Sequence, residues 1–347
     1  MPPEILSFTR AIQISGDDEK KRHLLLGNGF SIAWRNDIFR YESLFDQANF
    51  SDLSVEVRTL FDVLNTKDFE IVMRHLHEAA NVLRVYSPGS TAIISALEHD
   101  AEALRDVLVR TIAANHPDTP GDISDAEYSH CRVFLNHFCM SNIYSLNYDL
   151  LLYWVLMHFR DTENELRCDD GFRKPDTGEE QYVSWDIENT NKQNVFHLHG
   201  ALYLFDAGSV LKKYTWSNTG IRLIDQVRDA LSHNLFPLIV SEGSTKEKQD
   251  KIMHSSYLSR SQRSISNISG SLFIYGHSLA DNDDHILKLI SKKGCKVRKL
   301  FVSLYGSATS ESNVAIIRKA EQIKSARNQN NPLELYFYDA ESAHVWR

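Results

Sequence analysis

The chain has 347 residues, of which 42% are hydrophobic and 24% are charged, and its formal net charge is -8. This length suits one large domain or two ordinary ones, and the negative charge argues against a general nucleic-acid binder, which needs a concentrated basic surface. No run of eighteen apolar residues occurs in the sequence, so we expect no membrane-spanning helix and no membrane partner.

The four cysteines, Cys131, Cys139, Cys168 and Cys295, include no C-x-x-C pair. A structural zinc ribbon is therefore not expected. The first residues also lack the basic-then-apolar pattern of a secretory signal peptide. Free thiols without a signal peptide favour a cytoplasmic protein.

The first strong element is a short apolar run, residues 23–26, that ends in the turn Gly27-Asn28-Gly29 and leads into a helix-compatible segment. A buried parallel strand is typically joined to a helix in this way. The two glycines would permit a tight turn whose backbone N–H groups approach a ligand, and the helix terminus would favour a diphosphate. Ser31 suits either the cap of that helix or a hydroxyl that binds a ligand, and capping is the commoner role.

Residues 41–140 show a helical pattern without a strand pattern between them. Apolar residues recur there at spacings of three and four, as in Phe69, Val72, Met73 and Leu76. We predict a large all-helical insertion at 41–140 that packs beside a sheet and supplies either a pocket wall or an oligomer surface. Residues 1–40 and 141–347 would then form the remaining domain.

Beyond residue 140, short apolar runs alternate with helical segments. The predicted strands are 142–145, 195–198, 210–216, 236–241, 272–275, 300–304 and 333–338, and residues 160–192 are expected to be irregular. Continuous apolar runs are typical of parallel strands that are covered on both faces. The sequence therefore predicts an α/β fold with a Rossmann-like parallel sheet and helices on both faces.

Polar residues and glycines follow six of the predicted strands. They are Gly27-Asn28-Gly29, Asn147 with Asp149, His199-Gly200, Ser241 to Ser244, Gly276-His277-Ser278, and Tyr305-Gly306. Ligands of parallel α/β sheets bind outside the carboxyl ends of the strands, so we expect these residues to meet in one site.

Structural roles compete with these functional interpretations. Asn147 could be a strand-end turn residue, and His199 could be a core histidine bonded to the backbone. His197 and His199 would face the same side of an extended strand and could bind a metal ion. No third ligand has convincing spacing, so we expect no metal.

Two charged stretches have simple explanations. The acidic run at residues 281–284 is expected to cap the following helix and to complement its dipole. Lys246, Lys248 and Lys251, followed by Arg260 and Arg263, are expected to form a solvated helix face, with a partner-protein surface as the alternative.

The order of these motifs resembles the sirtuin-like superfamily. Gly27-Asn28-Gly29-Phe30-Ser31 is similar to the Gly-Ala-Gly-x-Ser turn that holds the nicotinamide dinucleotide in that family. Ser145-Leu146-Asn147-Tyr148-Asp149 resembles its Thr-Gln-Asn-x-Asp segment, and His197-Leu198-His199-Gly200 resembles its His-Gly segment. Gly276-His277-Ser278 is similar to its Gly-Thr/Tyr-Ser turn near the cofactor's ribose and phosphate.

The resemblance implies which residues act in the site. It places the catalytic pair at Asn147 and His199, and the cofactor-binding residues at Gly27, Asn28, Gly29, Phe30, Ser31, Asp149, Gly276, His277 and Ser278. Leu146 stands where deacetylases carry Gln, and the four-cysteine zinc module is absent from the sequence. These departures argue against protein deacylation. The combination of Gly-Asn-Gly-Phe-Ser, Asn-Tyr-Asp, His-Leu-His-Gly and Tyr-Gly-His-Ser-Leu-Ala-Asp-Asn-Asp more closely resembles the bacterial sirtuin-like NAD hydrolases of antiphage defence.

That similarity implies an enzyme that cleaves NAD+, its substrate, into nicotinamide and ADP-ribose. It also implies a homo-oligomer and a HerA-type ATPase as a partner. The negative net charge leads us to expect no sequence-specific binding of nucleic acid. The alternatives are a non-catalytic NAD or ADP-ribose sensor or regulatory subunit, and an ADP-ribosyltransferase. A dehydrogenase is disfavoured because no acidic residue follows the first turn at the end of a second strand, as the dinucleotide fold requires.

Overall fold

The computed structural model describes residues 3–51, 53–160, 162–163, 165–174, 182–208, 210–215, 220–240, 245–327 and 331–347. Its strands are β1 (Ile5–Leu6), β2 (Arg22–Leu26), β3 (Ile143–Ser145), β4 (Phe172–Arg173), β5 (Tyr182–Trp185), β6 (Val195–His197), β7 (Leu204–Asp206), β8 (Leu211–Tyr214), β9 (Ser269–Tyr275), β10 (Lys296–Leu304) and β11 (Glu334–Asp339). Two sheets contain all of these strands.

The helices that flank these strands are numbered in chain order. They are α1 (Phe8–Ser15), α2 (Gly29–Trp34), α3 (Asn36–Phe39), α4 (Tyr41–Gln47), α5 (Val55–Val63), α6 (Phe69–Tyr86), α7 (Thr91–Asn115), α8 (Asp125–Asn136), α9 (Leu151–His158), α10 (Leu223–Ser232), α11 (Thr245–His254), α12 (Ser256–Asn267), α13 (Asp284–Ser291) and α14 (Glu311–Ser325). None of the helices that the structure describes is both long and apolar enough to cross a membrane.

The main sheet has seven strands in the order β1-β11-β10-β9-β2-β3-β6, and each neighbouring pair is parallel. All five residues of β2 are buried, and its side chains alternate between two cores. Leu24 and Leu26 belong to one hydrophobic cluster, whereas Leu25 belongs to the other with residues of α12, α13 and α14. The predicted α/β fold, with a parallel sheet covered on both faces, is confirmed.

The direction of strand addition reverses between β2 and β9. The chain passes from β2 to β3 and β6 on one side, and then places β9, β10 and β11 on the other side of β2. Ligand crevices of open α/β sheets form at such a switch point.

Helices α4 to α8 lie between β2 and β3 in the chain. The described residues from 41 to 140 contain no strand. Phe69 and Val72 of α6 belong to the same hydrophobic cluster as Leu24 and Leu26 of β2. These helices thus share a core with the sheet rather than forming a separate one.

The predicted strand at residues 236–241 is wrong. Over its described residues, this apolar segment makes one antiparallel bridge, Ile239 with Gly200, and crosses beyond the end of β6. The Val240 N–H donates to the His199 carbonyl at 2.9 Å, and the Ala201 N–H donates to the Leu238 carbonyl. Gly200 has a φ of 77°, and a Cβ there would collide with the Leu238 carbonyl. An apolar run can be buried without joining a sheet, and periodicity does not distinguish the two cases.

The prediction that residues 160–192 are irregular is also wrong. Strands β4 and β5 form a second, antiparallel sheet in the order β4-β5-β8-β7. Strand β8 therefore belongs to this small sheet and not to the main one. The last residue of the predicted strand 210–216, Trp216, lies outside the described residues.

Candidate functional site

A cavity of about 980 Å³ lies at the carboxyl ends of β2, β3 and β9. Nine of the residues singled out by the sequence line it: Gly27, Asn28, Gly29, Asn147, Asp149, His199, Gly276, His277 and Ser278. Tyr305 lines it as well, and Ser241 to Ser244 lie outside the described residues. The sequence therefore identified much of the wall. Gly200 and Gly306 do not line the cavity, and two of the predicted cofactor-binding residues also lie elsewhere.

Those two residues are Phe30 and Ser31, which are fully buried in α2 behind the cavity wall. Phe30 packs against Trp346, whose Nε1 donates to the Phe30 carbonyl at 2.8 Å. The Ser31 hydroxyl donates to Asp149 Oδ2 at 2.5 Å and accepts from Asn147 Nδ2 at 3.1 Å. Ser31 therefore neither caps α2 nor faces the cavity. Instead, its hydroxyl holds the side chains of Asn147 and Asp149, which do line the cavity.

The glycine turn after β2 packs against the turn after β9. The Gly27 N–H donates to the Tyr275 carbonyl at 2.9 Å, and the Gly29 N–H donates to the Gly276 carbonyl at 2.7 Å. A Cβ on Gly29 would lie 2.5 Å from the Gly276 Cα. The glycines thus permit close contact between two turns, and these two N–H groups bind protein carbonyls rather than pointing to a ligand.

Asn147 and Asp149 follow β3 and are almost fully buried. Asn147 Oδ1 has no hydrogen-bond partner among the described residues, although its Nδ2 is held by Ser31. Asp149 Oδ1 accepts from the Leu151 N–H at 2.9 Å. Burial raises the pKa of Asp149, and the hydrogen bond from Ser31 opposes that rise.

His199 lies in the cavity wall with only 2% of its surface exposed. Its Nε2 is 2.9 Å from His285 Nε2 and 3.7 Å from Asp283 Oδ1. Burial lowers the pKa of His199 well below its usual range, although the Asp283 carboxylate opposes this effect. Burial therefore favours the neutral imidazole, and a hydrogen bond joins His199 Nε2 to His285 Nε2.

His197 does not join His199 at the cavity. It is the last residue of β6, and its Nε2 lies 2.8 Å from the Tyr203 hydroxyl. The chain leaves the strand after His197, so the alternation that would put both rings on one face ends there. The pair therefore does not present two ligands to one site.

A buried charge cluster borders the same cavity, and the sequence did not reveal it. Lys248 of α11 is 1% exposed, and its Nζ lies 3.1 Å from Glu70 Oε2 and 3.8 Å from Asp283 Oδ1. Burial favours a lower pKa for Lys248, but the carboxylates of Glu70 and Asp283 outweigh it and raise the pKa. The prediction that Lys248 belongs to a solvated face is wrong, and Lys246 has no described side chain.

Asp283 connects this cluster to the histidines. Its Oδ2 accepts from His277 Nε2 at 2.8 Å, and the Leu279 N–H donates to His277 Nδ1. Burial tends to raise the pKa of Asp283, but the His277 hydrogen bond and the nearby positive charge of Lys248 outweigh it and hold the pKa below its usual range. Asp283 therefore forms a buried hydrogen bond with His277. The sequence predicted only a capping role for it, as part of the acidic run before α13.

The helical segment supplies part of the wall, as one of the two predicted alternatives has it. Tyr41, Asp68 and Glu70 line the cavity. Hydroxyls of Tyr148 and Tyr41 donate to Glu70 Oε1 at 3.1 and 3.4 Å. Burial, reinforced by the Glu70 carboxylate, raises the pKa of Asp68 to about 7. The cavity thus brings together side chains that lie more than two hundred residues apart in the sequence.

His199, Asp283 and His285 each offer a potential metal-ligand atom, and these atoms lie within 4.8 Å of one another. No third ligand for His199 was evident from the sequence, because Asp283 and His285 follow it by more than eighty positions. The segment Asp281-Asn282-Asp283-Asp284-His285, directly after the β9 turn, was the available signal.

The comparisons with known proteins identify a family. A model described as "Domain of unknown function (DUF4917)" matches residues 24–346. The chain belongs to the DUF4917 family. No curated protein matches the sequence. The DUF4917 match includes all the cavity residues described above, but its description names no activity.

The DUF4917 cavity combines hydrogen-bond acceptors with a neutral imidazole. Asn147 Oδ1, Asn282 Oδ1 and Asp283 Oδ1 are buried and lack hydrogen-bond partners within the described ranges. Buried acceptors of this kind are costly unless a donor reaches them. The arrangement therefore suits a ligand rich in hydroxyl or amide N–H groups, placed next to a side chain that can take up a proton.

Proposed function

We propose that the protein is an enzyme that hydrolyses NAD+ at the nicotinamide–ribose bond. The reaction consumes one water and yields nicotinamide, ADP-ribose and a proton. The observation that supports it best is the partnerless Asn147 Oδ1 in the wall of a large cavity that His199 also lines. A volume near 980 Å³ is at the upper end of the range for small-molecule and cofactor pockets.

Asn147 suits the sugar side of this reaction. Its Nδ2 is fixed by Ser31, so the Oδ1 is held in place. This oxygen can accept a hydrogen bond from a ribose hydroxyl or from the attacking water. An amide is uncharged and does not compete as a nucleophile for the oxocarbenium-like carbon that forms as nicotinamide leaves. Orienting the reactants in this way supplies a large part of many enzymatic accelerations.

His199 suits the proton transfer. Because burial keeps the imidazole neutral, it can accept the proton from the water or from a ribose hydroxyl. The imidazolium formed would lie 3.7 Å from the Asp283 carboxylate, which would stabilise its charge. The bound dinucleotide would contact the turns after β2 and β9 at the switch point, through side chains and carbonyls rather than the Gly27 and Gly29 N–H groups.

The experiment is incubation of the full chain with NAD+, alone and with candidate partners, followed by chromatography of the products. We expect nicotinamide and ADP-ribose in equal amounts. His199→Ala should lower kcat by about 10²- to 10⁴-fold, the usual range for a positioned proton-transfer group. Asn147→Ala should lower kcat by about 10²-fold, because the ribose and the water lose their orientation. His233→Ala, at an exposed histidine, is the matched control and should retain full activity.

Three results would contradict the proposal in different ways. Turnover that survives both substitutions in folded protein would exclude these catalytic residues. Saturable NAD+ binding without products, both alone and with the candidate partners, would favour a sensor. Nicotinamide without free ADP-ribose would indicate transfer to an acceptor.

The resemblance to antiphage-defence proteins extends the proposal to the cell. A freely active NAD+ hydrolase would harm its host, so we propose that the activity is latent and that a homo-oligomer, a HerA-type ATPase or both relieve this latency. The assay above should therefore be repeated with the candidate ATPase and across protein concentrations. Activity that is independent of both would exclude this form of control.

A further inference from the structure

Two imidazoles and one carboxylate meet at the edge of the cavity with unusual spacing. His199 Nε2 and His285 Nε2 are 2.9 Å apart, and His199 Nε2 is 3.7 Å from Asp283 Oδ1. Two ligand atoms about 2.1 Å from a tetrahedral zinc ion lie about 3.4 Å apart. The two observed separations lie on either side of this value, and an ion would replace the hydrogen bond that joins the two Nε2 atoms.

The carboxylate is oriented for such a role. Asp283 Oδ2 accepts from His277 Nε2 at 2.8 Å, whereas the buried Asp283 Oδ1 has no hydrogen-bond partner among the described residues. Metal-binding carboxylates and imidazoles are commonly held by such outer hydrogen bonds. His277 thus fixes one oxygen of Asp283 and leaves the other toward the two imidazoles.

The charge around the three residues also permits a cation. The Lys248 ammonium lies 3.8 Å from Asp283 Oδ1 but is closer to Glu70, whose Oε2 is 3.1 Å away. Lys248 can therefore remain paired with Glu70 when Asp283 binds an ion. The two carboxylates and one ammonium leave a net charge of -1 beside the neutral imidazoles.

We propose that His199, Asp283 and His285 form a binding site for a divalent transition-metal ion such as zinc. Two imidazoles with one carboxylate suit zinc, cobalt and iron better than calcium or magnesium, which prefer oxygen ligands. His199 and Asp283 line the cavity, so the remaining coordination positions of the ion would face it.

Metal binding would compete with proton transfer, since a His199 imidazole that binds an ion is not available as the base. This consequence rests on the proposed function, whereas the site itself does not. If both proposals hold, zinc should inhibit NAD+ hydrolysis, and a chelator should restore it. The metal would then act as a regulator of the hydrolase.

The test is a titration of the metal-free full chain with Co²⁺ in the absence of NAD+, followed by visible absorption. We expect about one Co²⁺ per chain without a thiolate-to-cobalt band, because the proposed ligands include no sulfur. His285→Gln and Asp283→Asn should each weaken binding at least about 10-fold, and His233→Ala should leave it unchanged.

Absence of Co²⁺ binding by the wild-type chain, or equal binding by folded His285→Gln, would overturn the site. A thiolate band would assign the ion to the cysteines and would overturn it too. X-ray absorption of the zinc-loaded wild-type chain needs no variant, and it should show imidazole and oxygen ligands without sulfur. Because no step involves NAD+, failure of the hydrolase proposal would not affect these outcomes.

Discussion

Ser31 acts on the cavity through its neighbours. Its hydroxyl is fully buried and bridges Asn147 Nδ2 and Asp149 Oδ2, two groups that come from the segment after β3. A serine at this point therefore fixes the rotamer of the proposed catalytic amide. It also satisfies a buried carboxyl group, whose desolvation would otherwise be costly.

Ser31→Ala should destabilise the protein by about 1–3 kcal/mol, because it leaves buried polar groups without a partner. It should also lower kcat for NAD+ hydrolysis more than it raises KM, since Asn147 would lose its fixed orientation. Urea unfolding and steady-state kinetics measure the two effects. Ser232→Ala, which removes an exposed hydroxyl bonded to a local carbonyl, is the control and should change stability by less than about 0.5 kcal/mol. Unchanged unfolding of Ser31→Ala would contradict the bridging role.

The sequence could identify residues that follow strands but not the residues that pair with them. Asn147, Asp149 and His199 were found because a parallel sheet collects strand ends at one edge. Glu70 and Lys248 were missed because 178 positions separate them and each is unremarkable in its own helix. Long-range ion pairs leave no local pattern in a single sequence.

The turns after β2 and β9 behave as one packed unit. Each approaches the other so closely that a side chain at Gly27 or Gly29 would meet the backbone of Gly276. The neighbouring backbone leaves no space for a side chain at Gly27 or Gly29, so both positions require glycine. The sequence correctly indicated a tight turn, but the reason for its glycines lies in a turn about 250 residues later.

Gly29→Ala should destabilise the protein by about 1–3 kcal/mol, the usual cost of overpacking, because Gly276 cannot move without displacing β9. Gly89→Ala is the matched control, since a Cβ at Gly89 has no atom within 4 Å. It should change the free energy of unfolding by less than about 0.5 kcal/mol. Denaturant unfolding of both variants makes the comparison, and equal stabilities would show that the two turns can separate at little cost.

At the scale of elements, the sequence predicted the main sheet better than its surroundings. Strands such as β2 and β9 are short apolar runs between turn residues, which is the pattern of buried parallel strands. The segment at 236–240 has the same apolar pattern but does not join the sheet, and it makes one antiparallel bridge with Gly200. Strands β4 and β5 are short and partly polar, so they lack the apolar run that would have predicted them.

One buried cluster of charged side chains at the cavity connects distant parts of the chain. Glu70 comes from the helices between β2 and β3, Lys248 from α11, and Asp283 from the segment after β9. The Asn282 amide also donates to Glu70 Oε2, at 2.8 Å. The cluster therefore ties three distant parts of the chain to one another.

Lys248→Met should destabilise the protein by about 3–5 kcal/mol, because it leaves the buried carboxylates without their cation. The double variant Glu70→Gln with Lys248→Met should be less destabilised than the sum of the single variants, since neither charge is then left alone. A double-mutant cycle of urea unfolding measures this coupling. Lys212→Met is the control because its ammonium lies over the Tyr182 ring of the small sheet, away from the cluster. Additive effects would mean that Glu70 and Lys248 are energetically independent.

The strand order of the main sheet also has a consequence for synthesis. Strand β2 pairs on one side with β3 and on the other with β9, where Arg22 aligns with Ser271. A growing chain that has reached residue 200 contains Asn147 and His199, yet it lacks the strand that completes the middle of the sheet. Such non-local pairing forms late and slowly. A ribosome-bound chain would thus carry both proposed catalytic side chains without an assembled pocket. If the protein is an NAD+ hydrolase, the chain would not hydrolyse NAD+ until β9 has left the ribosome and paired with β2.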